Sequence, residues 1–165
     1  MGIVDTLLYG GFWVLAVLVT PPILVLTVEC LSAAWRGAPR HGSDDDSAPT
    51  TVILVPAHNE EAVIGPTVKA ILSELKNGER VLVVADNCSD GTAAEARAAG
   101  AEVVERHDEQ LRGKAHALAY GVDQLRQNPP QVVIVIDADT KPTAGTIKAL
   151  SQEAVRSGRP TQAIY

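Results

Sequence analysis

Hydrophobic and polar positions are arranged in two different ways along this chain. Thr6 to Val28 form a stretch of 23 residues without a charge, rich in Leu and Val and including Phe12 and Trp13. After Thr50 the pattern changes to short apolar runs separated by stretches of helical period. The runs are Val52-Ile53-Leu54-Val55, Val81-Leu82-Val83-Val84 and Val132-Val133-Ile134-Val135-Ile136, and none of them alternates. Near-continuous β-branched runs are expected of parallel strands covered on both faces. Between them, Ile64, Val68, Ile71, Leu72 and Leu75 share one helix face, and Ala115, Leu118, Ala119, Val122 and Leu125 share another. A short alanine-rich helix over 93–99 ends at Gly100 and leads into a weaker strand at Val103-Val104. A last helix runs from Thr143, as its N-cap, to Ser157 and stops at Gly158. With a short final strand near Ala163-Ile164, this order predicts an α/β fold, an open and mostly parallel sheet of Rossmann-like type.

The N-terminal apolar stretch, as a helix, spans about 35 Å, enough for a hydrocarbon layer of roughly 30 Å. A cleaved signal peptide is the competing reading, but Asp5 precedes the stretch with no Lys or Arg, and the stretch exceeds a usual h-region. A retained transmembrane anchor is therefore expected over residues 1–35. Arg36 and Arg40 follow the span and no basic residue precedes it, which places the C-terminal side in the cytoplasm. The expected location is the plasma or inner membrane, single-pass. Pro21-Pro22 interrupts the span and makes a kink or a re-entrant shape the alternative geometry. Residues 36–50 read as a flexible linker, in which Asp44-Asp45-Asp46 and His41 are solvated rather than metal-binding. Residues 51–165 form the α/β domain.

Composition narrows the classes. In 165 residues, 46% are hydrophobic, and 14 Lys and Arg stand against 20 Asp and Glu, a formal net charge of −6. That is too apolar for a disordered chain and lacks the basic excess of a phosphate-neutralising nucleic-acid binder. Two cysteines, Cys30 and Cys88, make neither a multi-bridge framework nor a zinc site. No Gly-x-Gly-x-x-Gly follows the first strand, so ordinary dinucleotide binding is not supported.

In an open parallel sheet, ligands bind beyond the carboxyl ends of the strands. Three polar clusters fall there: Pro56-Ala57-His58-Asn59-Glu60-Glu61, Asp86-Asn87-Cys88-Ser89-Asp90-Gly91 and Asp137-Ala138-Asp139-Thr140. Each alone could be turn and cap chemistry; together they point to a site. Asp137 and Asp139, two apart at the end of an extended strand, can project to the same side. Two carboxylates roughly 6 Å apart repel by about 3 kcal/mol at an effective dielectric near 20, which a divalent cation relieves. Oxygen-only ligands imply Mg²⁺ or Mn²⁺, with open positions suited to a diphosphate. Lys114 or Arg112, where a helix begins after Gly113, could meet an anion together with unpaired N–H groups. His107 and His116 read as surface residues. Cys88, between Asp86 and Asp90, is disfavoured as a thiolate nucleophile.

Val55-Pro56-Ala57-His58-Asn59-Glu60, then Asp86-Asn87-Cys88-Ser89-Asp90-Gly91-Thr92, then Arg112-Gly113-Lys114-Ala115-His116-Ala117-Leu118, then Asp137-Ala138-Asp139 stand in a familiar order. They resemble the nucleotide-sugar-binding half of family 2 inverting glycosyltransferases, over roughly residues 51–165. The resemblance implies a glycosyltransferase A-type sheet. It implies that Pro56, Ala57, His58 and Glu60 line the nucleotide pocket and that Asp86 contacts the base, as in uridine-using members. It further implies that Gly113 and Lys114 lie near base and diphosphate, Asp137 near the ribose and Asp139 at the metal. The implied donor is a nucleoside-diphosphate sugar, UDP-sugar favoured over GDP-sugar, and the implied acceptor a lipid or polysaccharide. Ala85 stands where the family often has a first aspartate, Asn87-Cys88 replace a commoner Gly-Ser pair, and His58 stands where an aromatic is frequent.

The acceptor-activating carboxylate and the Gln-x-x-Arg-Trp segment of such enzymes do not occur after Asp139. The expectation is that the base lies beyond Tyr165 and that this chain is the donor- and metal-binding portion of a longer enzyme. Two alternatives stand beside it: a catalytically incomplete, membrane-tethered nucleotide-sugar-binding module, and a nucleotidyltransferase, whose glycine-rich basic loop is replaced here by Ala57-His58-Asn59-Glu60.

Overall fold

The computed structural model describes residues 2–35, 49–76 and 78–163. Arg36, Arg40, His41 and the Asp44-Asp45-Asp46 run lie outside the described residues, and so does Ile164. The chain divides into two compact units, Met1–His41 and Gly42–Tyr165.

Among its described residues the first unit is one helix, α1 (Ile3–Trp35), about 50 Å long at 1.5 Å per residue. Its segment Tyr9–Ser32 is long and apolar enough to cross a membrane. The helix runs unbroken through Pro21-Pro22, and the re-entrant shape is not adopted. Each proline removes one ladder donor, leaving the carbonyls of Val17 and Leu18 without their usual partners, while the ladder continues on both sides. Phe12 and Trp13 meet edge to face at 6.1 Å.

The second unit begins with β1 (Thr51–Ala57), α2 (Glu61–Glu74), β2 (Arg80–Asp86), α3 (Thr92–Ala98) and β3 (Glu102–Arg106). It continues with α4 (Lys114–Gln124), a 3₁₀ turn (Leu125–Gln127), β4 (Val132–Val135) and α5 (Thr146–Ser157). The four strands are all parallel, in the order β3-β2-β1-β4. Because side chains alternate across a strand, β1 sends Ile53 and Val55 to one face and Val52 and Leu54 to the other. On the first face Ile64, Val68 and Ile71 of α2, Ala96 of α3 and Ile147 of α5 close the larger core. On the second face Ala117 of α4 and Leu125 cover Val52, Leu54, Leu82 and Val84. Each such fully buried Val, Leu or Ile contributes about 1.5–3 kcal/mol relative to exposure.

Four expectations need correction. The buried stripe is Ala117 and Gly121 of α4 and Leu125 of the turn after it, with Leu118 half-buried, whereas Ala115, Ala119 and Val122 face outward. The reason is the glycine: a Cβ at Gly121 would lie 2.6 Å from Leu54 Cδ1 and 2.9 Å from Val84 Cγ2, so its bare Cα is the point where α4 rests on the sheet. Thr143 is not the N-cap of α5. The helix starts three residues later, behind Gly145 at φ 80°. The Thr143 hydroxyl meets that of Thr146 at 2.8 Å instead of capping a backbone amide. β4 is covered on one face only, with Val133 39% and Val135 47% exposed, because α4 packs over β1 and β2 and does not reach it. No strand includes Ala163.

Candidate functional site

The carboxyl ends of β1, β2 and β4 and the amino end of α4 enclose a cleft of about 500 Å³. From β1 come Pro56 and Ala57, and from the turn after it His58 and Glu60. Asn59 in that turn takes φ 55° and Asn87 after β2 takes φ 51°, left-handed conformations that asparagine tolerates better than most side chains. The two turns are stitched together. Ser89 N–H donates to Asn59 Oδ1 at 2.8 Å, and Glu60 N–H donates to the Thr92 hydroxyl at 2.8 Å. Gly91 N–H reaches Glu61 Oε2 at 2.9 Å, while Asp90 accepts from Glu61 N–H at 3.2 Å and from the Thr92 hydroxyl at 2.5 Å. The Thr92 hydroxyl, with backbone N–H groups, holds the Asp90 carboxyl below its usual range. The Ser89-Asp90-Gly91-Thr92 signature is thus a clamp between loops, outside the cleft lining.

Asp86 ends β2 and is buried on the cleft wall. Its Oδ1 accepts from Arg106 Nη1 at 2.7 Å and from Asn87 Nδ2 at 3.0 Å. Its backbone carbonyl lies 2.7 Å from His58 Nδ1, which must carry the proton to bond there, and so leaves Nε2 as the acceptor of the neutral ring. Arg106 also donates from Nη2 to Asp108 Oδ2 at 3.1 Å. Asp108 in turn caps the following loop, accepting from Gln110 and Leu111 N–H at 2.9 Å each, and these bonds hold its carboxyl low.

That loop delivers Arg112, Gly113 and Lys114 to the cleft. Gly113, at φ 109°, is the residue before α4. No side chain caps the helix there; His116 N–H bonds to Gly113 O at 3.0 Å, and an uncapped helix start of this kind suits an anion. Lys114 Nζ pairs with Asp137 Oδ1, both half-exposed. A pair so exposed is worth little.

Asp137 and Asp139 both line the cleft, but not from an extended strand. β4 ends at Val135, and Asp137-Ala138-Asp139-Thr140 form a turn closed by Thr140 N–H to Asp137 O at 3.0 Å. Among the described residues, the Asp139 carboxylate meets only the Thr140 hydroxyl at 3.4 Å, and no group of three or more His, Cys, Asp or Glu is assembled. A hard cation held by one or two protein carboxylates, with water and ligand oxygens completing its shell, fits that donor set.

All nine residues singled out from the sequence, Pro56, Ala57, His58, Glu60, Asp86, Gly113, Lys114, Asp137 and Asp139, line this one cleft. Cys88 Sγ lies 3.4 Å from Asn59 N and 3.5 Å from Ala57 O, in the loop junction rather than the cleft. His107 and His116 are on the surface. Sequence reasoning missed Arg106 and Asp108. Arg106 follows the apolar Val103-Val104 at the same rim as the other clusters, and applying the strand-end rule to β3 would have found it.

An open parallel sheet with flanking helices and a mixed acidic and basic cleft at its strand ends is the GT-A class of glycosyltransferase fold. The sequence model of "Glycosyl transferase family 2" matches residues 52–160, and the chain belongs to that family. It is 30% identical over 115 residues, 65% of this chain and 27% of the relative, to "Probable glycosyltransferase YdaM" of Bacillus subtilis (strain 168). It resembles the fold of the mannosyltransferase PcManGT from Pyrobaculum calidifontis, solved with GDP-Man and Mn²⁺, with a TM-score of 0.61 at 24% identity over 78% of this chain and 39% of that one. Glucosyl-3-phosphoglycerate synthase from Mycobacterium tuberculosis, solved with Mg²⁺ and UDP, gives a TM-score of 0.52 at 29% identity over 64% of this chain and 39% of that one. The chain thus spans about a quarter to two fifths of the length of these proteins.

Proposed function

We propose that this chain supplies the donor- and metal-binding part of a membrane-anchored family 2 glycosyltransferase. In this reading the enzyme moves a sugar from a nucleoside diphosphate, with inversion, to a lipid or polysaccharide acceptor on the cytoplasmic side. The observation that carries it is the convergence of four chain-distant segments on one cleft, with an acidic turn at one wall and a basic helix start beside it. Relatives solved with GDP-Man, UDP and Mn²⁺ or Mg²⁺ support the donor class. Family membership sets the nucleotidyltransferase alternative aside.

Each residue then has a task. Asp86, an acceptor, takes a ring N–H of the base, and His58 packs beside it. Asp137 releases Lys114 to the diphosphate and turns to the ribose, while the free N–H groups of α4 add a positive end to the phosphate site. Asp139 would hold Mg²⁺ or Mn²⁺, which when bound neutralises charge on the leaving diphosphate. Inversion is a single displacement: the acceptor oxygen bonds the anomeric carbon as its bond to the phosphate oxygen breaks. The acceptor proton goes to a carboxylate outside the cleft residues named here.

Calorimetry on the full chain in detergent, with UDP, GDP and their sugars, tests this. Binding is expected with Mn²⁺, with an affinity loss of about tenfold or more in Asp139→Ala at unchanged thermal stability. A folded chain that ignores every nucleotide with and without Mn²⁺ rejects the donor site, and an Asp139→Ala chain that binds like wild type rejects the metal role.

A further inference from the structure

Arg106 stands behind the cleft lining, paired with the Asp86 that does line it, and its bonding explains its place. Its side chain is only 10% exposed, at the end of β3 beside the end of β2. One arm holds Asp86 Oδ1 and the other holds Asp108 Oδ2, while its own carbonyl accepts from Asn87 N–H at 2.7 Å. Asn87 closes the ring, donating from Nδ2 to Asp86 and accepting from Asp108 N–H at 2.7 Å. The planar two-armed guanidinium therefore ties the end of β2 to the loop that leads to Gly113 and Lys114. A lysine would bring the charge without the rigid planar fork.

We propose that Arg106 is a positioning residue that fixes Asp86 in one orientation and thereby gives the cleft its choice of base. This rests on the reading of Asp86 as the residue that meets the base. A carboxylate accepts and cannot donate. Held still opposite a ring nitrogen, it is satisfied by the N–H of uracil or guanine and repelled by the lone pair that cytosine or adenine presents there. Free to swing, it would reach the exocyclic amino groups of those same rejected bases. Selection thus depends on immobility as well as charge, and the immobility comes from Arg106.

The test is calorimetry of the full chain in detergent with UDP, GDP, CDP and ADP, all with Mn²⁺, for wild type and Arg106→Met. Wild type is expected to bind UDP or GDP about tenfold or more tighter than CDP and ADP. In Arg106→Met that ratio should fall toward one, because the loss is in discrimination. A residue that merely supports the fold would weaken all four nucleotides together, so a folded Arg106→Met chain with the wild-type ratio overturns the proposal. So does a wild type that prefers CDP or ADP. Should Arg106→Met not fold, Arg106→Lys decides: it keeps the charge and loses the fork, an intermediate ratio supports the assignment and an unchanged one overturns it. A wild type that binds none of the four defeats the donor-site reading itself, an outcome separate from a normal wild type with an indifferent Arg106 variant.

Discussion

Strands β2 and β3 are bracketed by two arginine–carboxylate pairs that differ in almost everything except residue type. At the amino end Arg80 of β2 meets Glu102 of β3 at 3.0 Å, with 32% and 52% of the two side chains exposed. At the carboxyl end the polarity across the strands is reversed: Asp86 of β2 meets Arg106 of β3 at 2.7 Å, with 7% and 10% exposed. An exposed pair is screened by water and contributes about 0–1 kcal/mol. A buried pair costs desolvation that its attraction only roughly offsets, so stability alone is a poor reason for it to be there. The lesson is positional. The amino end needs only to be soluble, whereas the carboxyl end holds a charge against a cleft.

The largest expected effect breaks the buried pair. Arg106→Met should lower stability by about 3–5 kcal/mol, because an unpaired carboxylate is left inside. Replacing both members, Asp86→Leu with Arg106→Met, should recover most of that stability while nucleotide binding is lost with Asp86. Urea unfolding of the full chain in detergent, followed by circular dichroism, reads the first, and calorimetry the second. Retained binding in the double variant would mean that Asp86 does not read the base. At the other end, Arg80→Ala should cost at most about 1 kcal/mol, shrink further in high salt and leave nucleotide affinity untouched. A larger, salt-insensitive loss would erase the contrast between the two ends.

The smallest effect is with pH. Asp90 and Asp108 titrate below the ordinary value of 3.8, the first chiefly through the Thr92 hydroxyl and the second through the Leu111 N–H. A carboxyl whose folded value lies below its unfolded one stabilises above the unfolded value, and that contribution fades as pH falls through the folded one. The urea midpoint should therefore be insensitive to these groups near neutrality and should drop below about pH 4. Asp90→Asn with Asp108→Asn should flatten that acid limb; an unaltered limb would assign it to other carboxylates.

How far these features were legible depends on what each one is made of. The strands of the central sheet were plain because Val52 to Val55 and Val81 to Val84 are apolar on both faces, which a parallel strand under two layers demands. The rim was found because turn-forming side chains clustered at three strand ends, and strand ends converge in this topology, whereas Gly113 and Lys114 came from a helix start and the individual roles from the family resemblance. The packing face of α4 was misread because an apolar count weighs Val122 and ignores Gly121, although contact there is made through the absence of a side chain. Asp137 and Asp139 were assigned to the right wall with the wrong backbone, since spacing two suits a strand end and a turn equally well. Arg106 escaped because β3 is only partly buried and its apolar signal is faint, so its polar end was not counted among the clusters.

The bare Cα of Gly121 reaches beyond packing. Lys114, the first residue of α4, lies seven positions away on the same rigid rod, about 10 Å along its axis. Any bulk at Gly121 must lift or tilt that rod from Leu54 and Val84. The displacement would be carried to the amino-terminal tip that lines the cleft. A survey of variants for lost sugar-nucleotide recognition would then find a hit at a position no ligand ever touches, with the cause lying in leverage rather than chemistry.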